Sequence, residues 1–425
     1  MKTDSRFKKY ALSAVLALAL LATAAAWCAG GYDSDSTPTE PANVVKNGSD
    51  NGNDSLRDVL AGAASGATIT FAEDVTNITL SSAISFGQSD ITIDGGGRVT
   101  ITKSTAANFR LLTSNAASGT LTLKGLTFEN GRTTENGGGV LAKSDVKLEG
   151  CVFKNNIGYD GGGLYASANA DLTGCKFFGN TAVYNGGGLY ADGTADIKNC
   201  EFDRNAAVHG GGAYVNGKAD LAGCTLNANS APNGGGVYAN HDADMTGCRF
   251  TNNTADDGGA AYVRSNADLT DCMFIDNKAE RNGNGGGLYA GTAVLKGCVL
   301  DGNTAAGSNG NGGGVYSAGD AVMNDCMITG NTAGNKGAGV YACGDATLTH
   351  CAFNDNVAAD PAEKGAYAVG KLETPDCTFE RNKVKPADNT LLLVGIAAAS
   401  IIIGLIAIFF VLQSMGKLPK ASKKV

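Results

Sequence analysis

The chain has 425 residues, of which 61 are glycine and only 7 are proline. Its 41 acidic residues outnumber its 33 basic residues, and the region between the two ends is more acidic still, because eight of the basic residues lie in the first 26 and last 13 positions. Such a surface repels nucleic acid and anionic membranes, so the composition excludes nucleic acid as a partner and favours neutral or cationic ligands.

The N-terminus has the pattern of an export signal. Four basic residues precede an apolar run over residues 11–26, and small residues stand at Ala24 and Ala26. A basic stretch followed by a short apolar run and small residues is typical of a cleavable secretory signal. We therefore predict a signal peptide over residues 1–26, a linker over 27–42, and a folded domain over 43–383.

One pattern repeats along the folded domain, from about residue 120 to 383, at intervals of 24 to 28 residues. A clear copy has Gly-Gly-Gly-Leu-Tyr-Ala at 161–166, Asp-Leu at 171–172, and Cys-x-Phe-x-x-Asn at 175–180. A fixed period of this length indicates a solenoid, in which each repeat buries its apolar side against its neighbours.

The residues within one repeat predict short strands. Leu172 is apolar between two polar neighbours, and Cys175 and Phe177 lie two apart on one face of a second strand. The glycine run then makes a tight bend before a third strand. Three short strands and three turns per repeat predict an all-β, right-handed parallel β-helix solenoid of the pectate-lyase-like type.

Two positions of the repeat are expected to face the interior. The residue at the Phe177 position is always apolar, and the residue three positions later, the Asn180 position, is asparagine in ten consecutive copies. Asparagines stacked along an axis bond amide to amide, and they tolerate the left-handed backbone of a corner. We favour an internal amide ladder over a ligand-binding row for these asparagines.

A third position carries tyrosine in nine copies. Where the residue before this tyrosine is large the residue after it is small, and the reverse, which indicates that both flanking side chains lie in the interior. We therefore expect the tyrosine itself to face outward. The residues form either a stabilising aromatic ladder or a binding platform for a sugar or a partner protein. As the candidate binding site they are Tyr165, Tyr190, Tyr214, Tyr238, Tyr262, Tyr289, Tyr316, Tyr341 and Tyr367.

Ten cysteines recur at one inward position, from Cys151 to Cys377. Cysteines in an exported chain usually form disulfides, but parallel Cβ vectors on stacked coils suit a disulfide poorly. We favour buried free thiols, with axial disulfides and a thiol metal column as the alternatives. Cys343 lies off this column and is expected at the surface.

Acidic residues are expected to form an outward column one residue before the Leu, Ile, Met or Thr of a strand. We place in it Asp171, Asp196, Asp220, Asp244, Asp268 and Asp345. Weak calcium binding along this column is an alternative to simple solvation. The repeats are nearly uniform, and the acidic pair Asp256-Asp257 stands in a turn, so the sequence predicts no catalytic residue, no metal site and no cofactor.

The C-terminus has the pattern of a membrane anchor. Residues 391–412 are apolar or small and carry no charge, and at about 1.5 Å per residue they span a hydrocarbon core of about 30 Å. Four lysines follow, which predicts a cytoplasmic tail. We expect a juxtamembrane linker over 384–390, one transmembrane helix over 391–412 and a tail over 413–425, with the repeats extracellular in a single-pass protein of the cell membrane.

The alternation of Gly-Gly-x-(Ile/Leu/Val) with Phe-x-x-Asn resembles the repeat of polymorphic outer-membrane proteins. Residues 53–71, which contain Ser55-Leu56-Arg57, look like the cap that opens many exported β-helix adhesins and plugs the first coil. This chain departs from those proteins in carrying one apolar helix where they carry a translocating domain. The resemblance implies an adhesin or structural surface protein with glycan or protein ligands. A polysaccharide lyase or glycoside hydrolase, which the same fold also hosts, is the alternative.

Overall fold

The computed structural model describes residues 43–104, 107–360 and 365–384, which all belong to one compact unit, Asn43–Val425. The predicted signal peptide and first linker, and the predicted transmembrane helix over 391–412 with its tail, lie outside the described residues. In the described part of the chain, no helix has the length and apolar character needed to cross a membrane.

Within the residues that the structure describes there is one short helix, Leu56–Gly62, and it closes the first coil. Ser55 caps it, because its Oγ accepts a hydrogen bond from the backbone amide of Asp58 at 3.3 Å. Leu56 and Leu60 are fully buried against the first strands. The Arg57 guanidinium donates to the carbonyl oxygens of Ser82 and Ala83 in the next coil, at 2.8 and 2.7 Å. The Ser-Leu-Arg segment thus caps, plugs and ties down this end of the solenoid.

The strands on either side of the helix wind as one parallel solenoid, in which each strand pairs in parallel with its equivalent one coil later. Seven strands build the coils that precede the regular repeat. They are Val44–Val45, Thr68–Phe71, Asn77–Leu80, Ile84–Phe86, Thr92–Lys103, Leu112–Ser114 and Thr120–Glu129.

Each regular coil has three main strands, which we name the tyrosine, leucine and phenylalanine rows. Two long strands, Ala261–Thr270 and Leu288–Lys296, belong to both of the first two rows. The tyrosine row further contains Val140–Ala142, Leu164–Ala166, Leu189–Ala191, Ala213–Val215, Val237–Ala239, Val315–Ser317, Val340–Ala342 and Ala366–Ala368. The leucine row further contains Asp145–Glu149, Ala170–Thr173, Ala195–Lys198, Ala219–Ala222, Ala243–Thr246, Ala321–Asn324, Ala346–Thr349 and Leu372–Glu373.

The phenylalanine row and a set of two-residue strands complete each coil. The phenylalanine row contains Val152–Lys154, Lys176–Phe178, Glu201–Asp203, Thr225–Asn227, Arg249–Thr251, Met273–Ile275, Val299–Asp301, Met327–Thr329, Ala352–Asn354 and Thr378–Glu380. The two-residue strands are Ile157–Gly158, Thr181–Ala182, Thr254–Ala255, Lys278–Ala279, Thr304–Ala305, Thr332–Ala333, Val357–Ala358 and Lys383–Val384.

The interior is a set of stacks that run along the axis. Phe153 pairs with Phe177 one coil later, and Phe177 with Phe202, with ring centroids 4.9 and 4.7 Å apart. These rings are fully buried. Successive rows of a sheet lie about 4.8 Å apart, so identical side chains in register necessarily stack on one another. The predicted inward position of the phenylalanine ladder is therefore confirmed.

The asparagine position forms the predicted amide ladder. In Asn180, Nδ2 donates to the Phe153 carbonyl oxygen at 2.9 Å and to Oδ1 of Asn205 at 3.0 Å. Its Oδ1 accepts from the backbone and side-chain amides of Asn156, both at 3.0 Å. Each buried amide is thus satisfied on both sides by its neighbouring coils. The same pattern links Asn156, Asn180, Asn205, Asn229, Asn253, Asn277, Asn303, Asn331, Asn356 and Asn382.

The left-handed corner lies one residue before the ladder asparagine, which corrects our expectation that the asparagine itself adopts it. The corner residue has a φ of 60° at Gly179, 53° at Arg204 and 51° at Ala228. Asn180 and its equivalents are not among the residues with positive φ. The ladder position therefore requires the side-chain amide of asparagine, whereas the positive φ is adopted by the preceding residue, which differs from coil to coil.

The glycine run makes the next bend and lets two coils approach closely. Gly186 has a φ of 64°, a conformation that costs residues with a Cβ atom. A Cβ atom on Gly187 would collide with the carbonyl oxygen of Gly211 in the next coil. The run therefore serves two needs, a left-handed bend and a backbone-to-backbone contact.

Candidate functional site

The nine predicted tyrosines form one outward column, which we call the tyrosine stripe. Their register pairs each with the next, for example Tyr190 with Tyr214 and Tyr238 with Tyr262. Consecutive ring centroids lie between 4.4 and 5.3 Å apart, and every pair is stacked. All nine side chains are half-buried. The structure therefore brings all the sequence-predicted site residues together in one line.

Stacking decides which atoms of the stripe are available to a ligand. Each inner ring lies face to face with a ring on both sides, so its faces are covered and its edge and hydroxyl are presented outward. Burial raises the pKa of Tyr165, Tyr214 and Tyr238 above the usual tyrosine range. These hydroxyls therefore remain protonated at neutral pH, and each can donate one hydrogen bond and accept others.

A row of polar side chains, the turn rim, borders the stripe on the side of the glycine run. Asn185 donates its backbone amide to Oδ1 of Asp160 at 2.9 Å, and Asn233 Nδ2 lies 3.1 Å from Nδ1 of His209. The imidazole of His209 also lies 5.3 Å from the ring of Tyr238. The turn rim consists of Asn136, Asp160, Asn185, His209, Asn233, Asp257, Asn284, Asn311 and Lys336.

A second row, the strand rim, borders the other side of the stripe, two residues after each tyrosine. The Tyr190 hydroxyl donates to Asp192 at 3.2 Å. Asn216 donates to the same carboxylate at 3.0 Å, Asn240 donates to Asn216 at 2.9 Å, and Arg264 donates to Asn240 at 3.1 Å. Rim and stripe together make a strip of hydroxyl, amide and carboxylate groups that follows the solenoid axis.

Two further tyrosines, which sequence reasoning missed, lie in the turns beside this strip. Tyr159 and Tyr184 are 44% and 48% exposed, and their parallel rings lie 6.1 Å apart. His209 contacts Tyr184 edge to face at 5.9 Å and so links this pair to Tyr238 in the stripe. The available signal was their spacing, since residues 159 and 184 occupy equivalent positions in consecutive repeats.

The acidic column is present, with one correction. Asp171, Asp196, Asp220, Asp244 and Asp268 pair in register on the leucine row. Asp345 was placed wrongly, because it is Thr347 that continues this column, while Asp345 stands two residues earlier beside Asp320. One residue before the strand leucine of that coil, Leu348, stands Thr347 and not an aspartate.

Lysines lie against the acidic column in its middle coils. Lys218 Nζ lies 2.7 Å from Asp220 and 2.5 Å from Asp244, and Lys198 lies 2.6 Å from Asp196. These partners reduce the repulsion between stacked carboxylates. Among the described residues, no cluster of three or more histidine, cysteine or acidic side chains has a geometry that could hold a metal ion.

The acidic pair in the turn is held by local contacts. Asp256 forms an ion pair with Arg281 at 3.2 Å, and Asp257 accepts the backbone amide of Asn284 at 2.7 Å. Both carboxylates are thus engaged with the following coil.

An open groove of about 370 Å³ lies on the leucine row between Thr120 and Asp196. Asp145 accepts the backbone amide of Asn169 at 3.0 Å, and Asn169 in turn accepts the backbone amide of Thr194 at 3.0 Å. The polar groups of the groove therefore join neighbouring coils.

The column cysteines are free thiols stacked in the interior, and all except Cys377 are buried. Cys151 donates to the Leu123 carbonyl oxygen at 3.3 Å. A hydrogen bond with Cys151, together with burial, raises the pKa of Cys175 to about 12. Cys343 is half-buried beside the stripe, with Sγ 3.1 Å from the Tyr316 hydroxyl.

Comparison with known proteins places the chain in a family. No curated protein sequence matches it. Among solved structures, that of PfbA, a surface adhesin of Streptococcus pneumoniae, is similar, with a TM-score of 0.42 and 10% identity over 80% of this chain and 93% of that one. The family described as right handed beta helix region matches residues 61–205 and 235–400, well over half of the 425 residues. The chain therefore belongs to the right-handed β-helix family.

Proposed function

We propose that this protein is an adhesin-like binding protein of the cell surface, which holds an extended ligand along the tyrosine stripe. The observation that carries the proposal is the unbroken line of nine stacked tyrosines bordered by two hydrogen-bonded polar rims. The predicted signal peptide and the predicted membrane helix over 391–412 would export the repeats and hold them at the cell membrane.

The groups on the strip favour a hydroxyl-rich ligand. Protonated tyrosine hydroxyls, asparagine amides and carboxylates both donate and accept hydrogen bonds, which suits the hydroxyl groups of a glycan. The acidic rim residues Asp160, Asp192 and Asp257 disfavour an anionic ligand. Since the inner ring faces are covered, the ligand would lie across ring edges and be held mainly by hydrogen bonds. A neutral glycan chain parallel to the axis meets these conditions.

The test is a binding assay on immobilised polysaccharides and matrix proteins with the purified full-length chain. We expect a double variant, Tyr238→Ala with Tyr262→Ala, to lose at least about tenfold in affinity, because it removes two adjacent hydroxyls and opens the stripe. Tyr238→Phe with Tyr262→Phe keeps the stack and removes only the hydroxyls. Binding by the Phe variant equal to that of the wild type would show that the hydroxyls are not used.

The same wells distinguish the alternative function. A lyase or hydrolase produces new chain ends on the polysaccharide, whereas an adhesin retains the polymer intact. New chain ends would refute the adhesin proposal and make the acidic residues of the groove, Asp145, Asp171 and Asp196, the first to replace.

A further inference from the structure

The surface of the solenoid changes character part-way along its axis. The acidic column ends at Asp268, and its next two members in register are Val294 and Val322. The parallel column on the phenylalanine row changes one coil earlier, where Arg249 is followed by Met273. The backbone register is unchanged, so the fold does not impose this switch from charged to apolar side chains.

The switch leaves apolar side chains in solvent. Met273, Val294, Val322 and Met327 are 37%, 40%, 36% and 49% exposed, and Val299 stands between Met273 and Met327 in register. We call these five residues the apolar patch. Exposed apolar side chains that adjoin one another in register, as these do within each column, mark interaction sites in soluble domains, and methionine adapts its shape to varied partners.

Acidic side chains surround the apolar patch. Asp268 lies one coil before Val294, Asp271 and Asp325 each lie two residues before a methionine of the patch, and Asp301 lies two residues after Val299. All four are exposed. In the described part of the chain, Asp268, Asp271 and Asp301 make no ion pair, in contrast to the lysine-paired carboxylates at Asp196 and Asp220.

Two cations and one histidine also stand near the patch. Lys296 lies between the two columns, and Arg249 has Nη1 3.5 Å from Sδ of Met273. His350 lies 3.7 Å from Asp325. The acidic groups outnumber these cations, so the rim is negative. We propose that the apolar patch is a docking surface for a cationic amphipathic segment of a partner protein, whose apolar face covers the methionines and valines while its lysines or arginines meet the unpaired aspartates.

The proposal is independent of the tyrosine stripe and is tested with a defined probe. The probe is a fluorescent 18-residue peptide of leucine and lysine in helical amphipathic order, and its binding to the purified full-length chain is followed by anisotropy at about 0.15 M salt. A scrambled peptide of the same composition controls for charge. We expect the ordered peptide to bind at least about tenfold more tightly than the scrambled one.

Matched variants locate the binding. Val322→Thr with Met327→Gln keeps size and charge but removes apolar surface, and we expect a loss of at least about tenfold in affinity. Asp268→Asn with Asp301→Asn should lose about threefold and flatten the salt dependence. Asp196→Asn with Asp220→Asn makes the same charge change in earlier coils and should leave affinity within about twofold. Circular dichroism checks that each variant is folded.

Three outcomes would overturn the proposal. The first is equal binding of the ordered and scrambled peptides, or no binding of either. The second is an equal loss in the Asp196/Asp220 control, which would mean that affinity follows net charge alone. The third is a concentration-dependent dimer in sedimentation that the Val322/Met327 variant abolishes, since the patch would then be covered by a second copy of this chain.

Discussion

The asparagine ladder and the tyrosine stripe follow the same axis with the same repeat, yet their links differ in kind. Each inner ladder amide is buried and takes part in four hydrogen bonds to neighbouring coils, as Asn180 does. Each stripe tyrosine is half-exposed and stacks ring on ring with its neighbours, as Tyr214 does with Tyr238. Water cannot reach the buried amides to replace a lost ladder hydrogen bond, whereas it can reach the half-exposed tyrosines when a ring contact is lost. Substitutions in the ladder should therefore cost more stability than substitutions in the stripe.

The strongest test of this contrast removes one ladder amide. Asn229→Ala leaves the Phe202 carbonyl oxygen and the side-chain amide of Asn205 without their partners in the interior. Unsatisfied buried groups cost about 1–3 kcal/mol each, so we expect a loss of about 3–5 kcal/mol in the free energy of unfolding, measured by urea denaturation. Asn382→Ala, at the half-exposed last link, should lose about 1 kcal/mol. Equal losses in the two variants would contradict the interior role.

A stripe substitution should cost less. Tyr238→Ala removes stacking against Tyr214 and Tyr262, at centroid distances of 5.0 Å. Aromatic pairs contribute about 0.5–1.5 kcal/mol each, so we expect a loss of about 1–2 kcal/mol by the same denaturation experiment. Tyr238→Phe should stay within about 0.5 kcal/mol of the wild type. A loss as large as that of Asn229→Ala would remove the distinction between the two stacks.

The corner that precedes the ladder offers a stabilising change. Ala228 has a φ of 51°, which costs an L-residue about 1–2 kcal/mol and costs glycine little. Ala228→Gly should therefore raise the free energy of unfolding by about 1 kcal/mol. Ala231→Gly, at a buried position in the same coil without positive φ, should lower it instead. Comparison of the two variants separates the stability gained by relieving backbone strain from the stability that a glycine substitution ordinarily loses.

The smallest expected effect is a pH dependence of stability that arises from His209, which lies beside the tyrosine stripe. Burial lowers the pKa of His209 below its ordinary value of 6.5, so the folded state favours the neutral imidazole. The unfolded chain then binds more protons between the two pKa values, and stability falls as the pH falls from 6.5 towards the folded pKa. His209→Gln should reduce this dependence in melting curves recorded between about pH 4.5 and 8. An unchanged pH profile would exclude His209 as its source.

The inward-facing positions could be predicted from the sequence because each coil has the same residue types at the same interior positions. Phe177, Asn180 and Cys175 face inward in every copy, and the volume available to them is set by identical neighbours above and below. A pattern that recurs in ten coils therefore predicts both the stack and its direction. The tyrosine position was predictable for the same reason, because its neighbours Leu164 and Ala166 share the interior.

The surface features were harder to predict, because the surroundings of an outward side chain depend on its local turn and on the adjacent coil, and both vary along the axis. Asp345 was misplaced because its strand lacks the aspartate that marks the column elsewhere. Tyr159 and Tyr184 were missed because they lie in a turn whose residues vary from coil to coil. The apolar patch emerged only when the strand register placed Val294 and Val322 in the column that begins with aspartates. Whether the stripe binds a ligand depends on chemistry outside the chain, which no internal pattern encodes.

Alkylation of the column cysteines can report where neighbouring coils of the solenoid separate. An alkylating reagent reacts quickly only with an accessible thiolate, and the column thiols from Cys151 to Cys351 are buried. For Cys175, the hydrogen bond with Cys151 and burial also raise the pKa of the thiol to about 12. A buried column thiol is therefore reached by the reagent only when its own coil separates from the next. Because one such buried thiol lies in each coil from Cys151 to Cys351, the order in which alkylated positions appear over time would map how opening spreads along the axis.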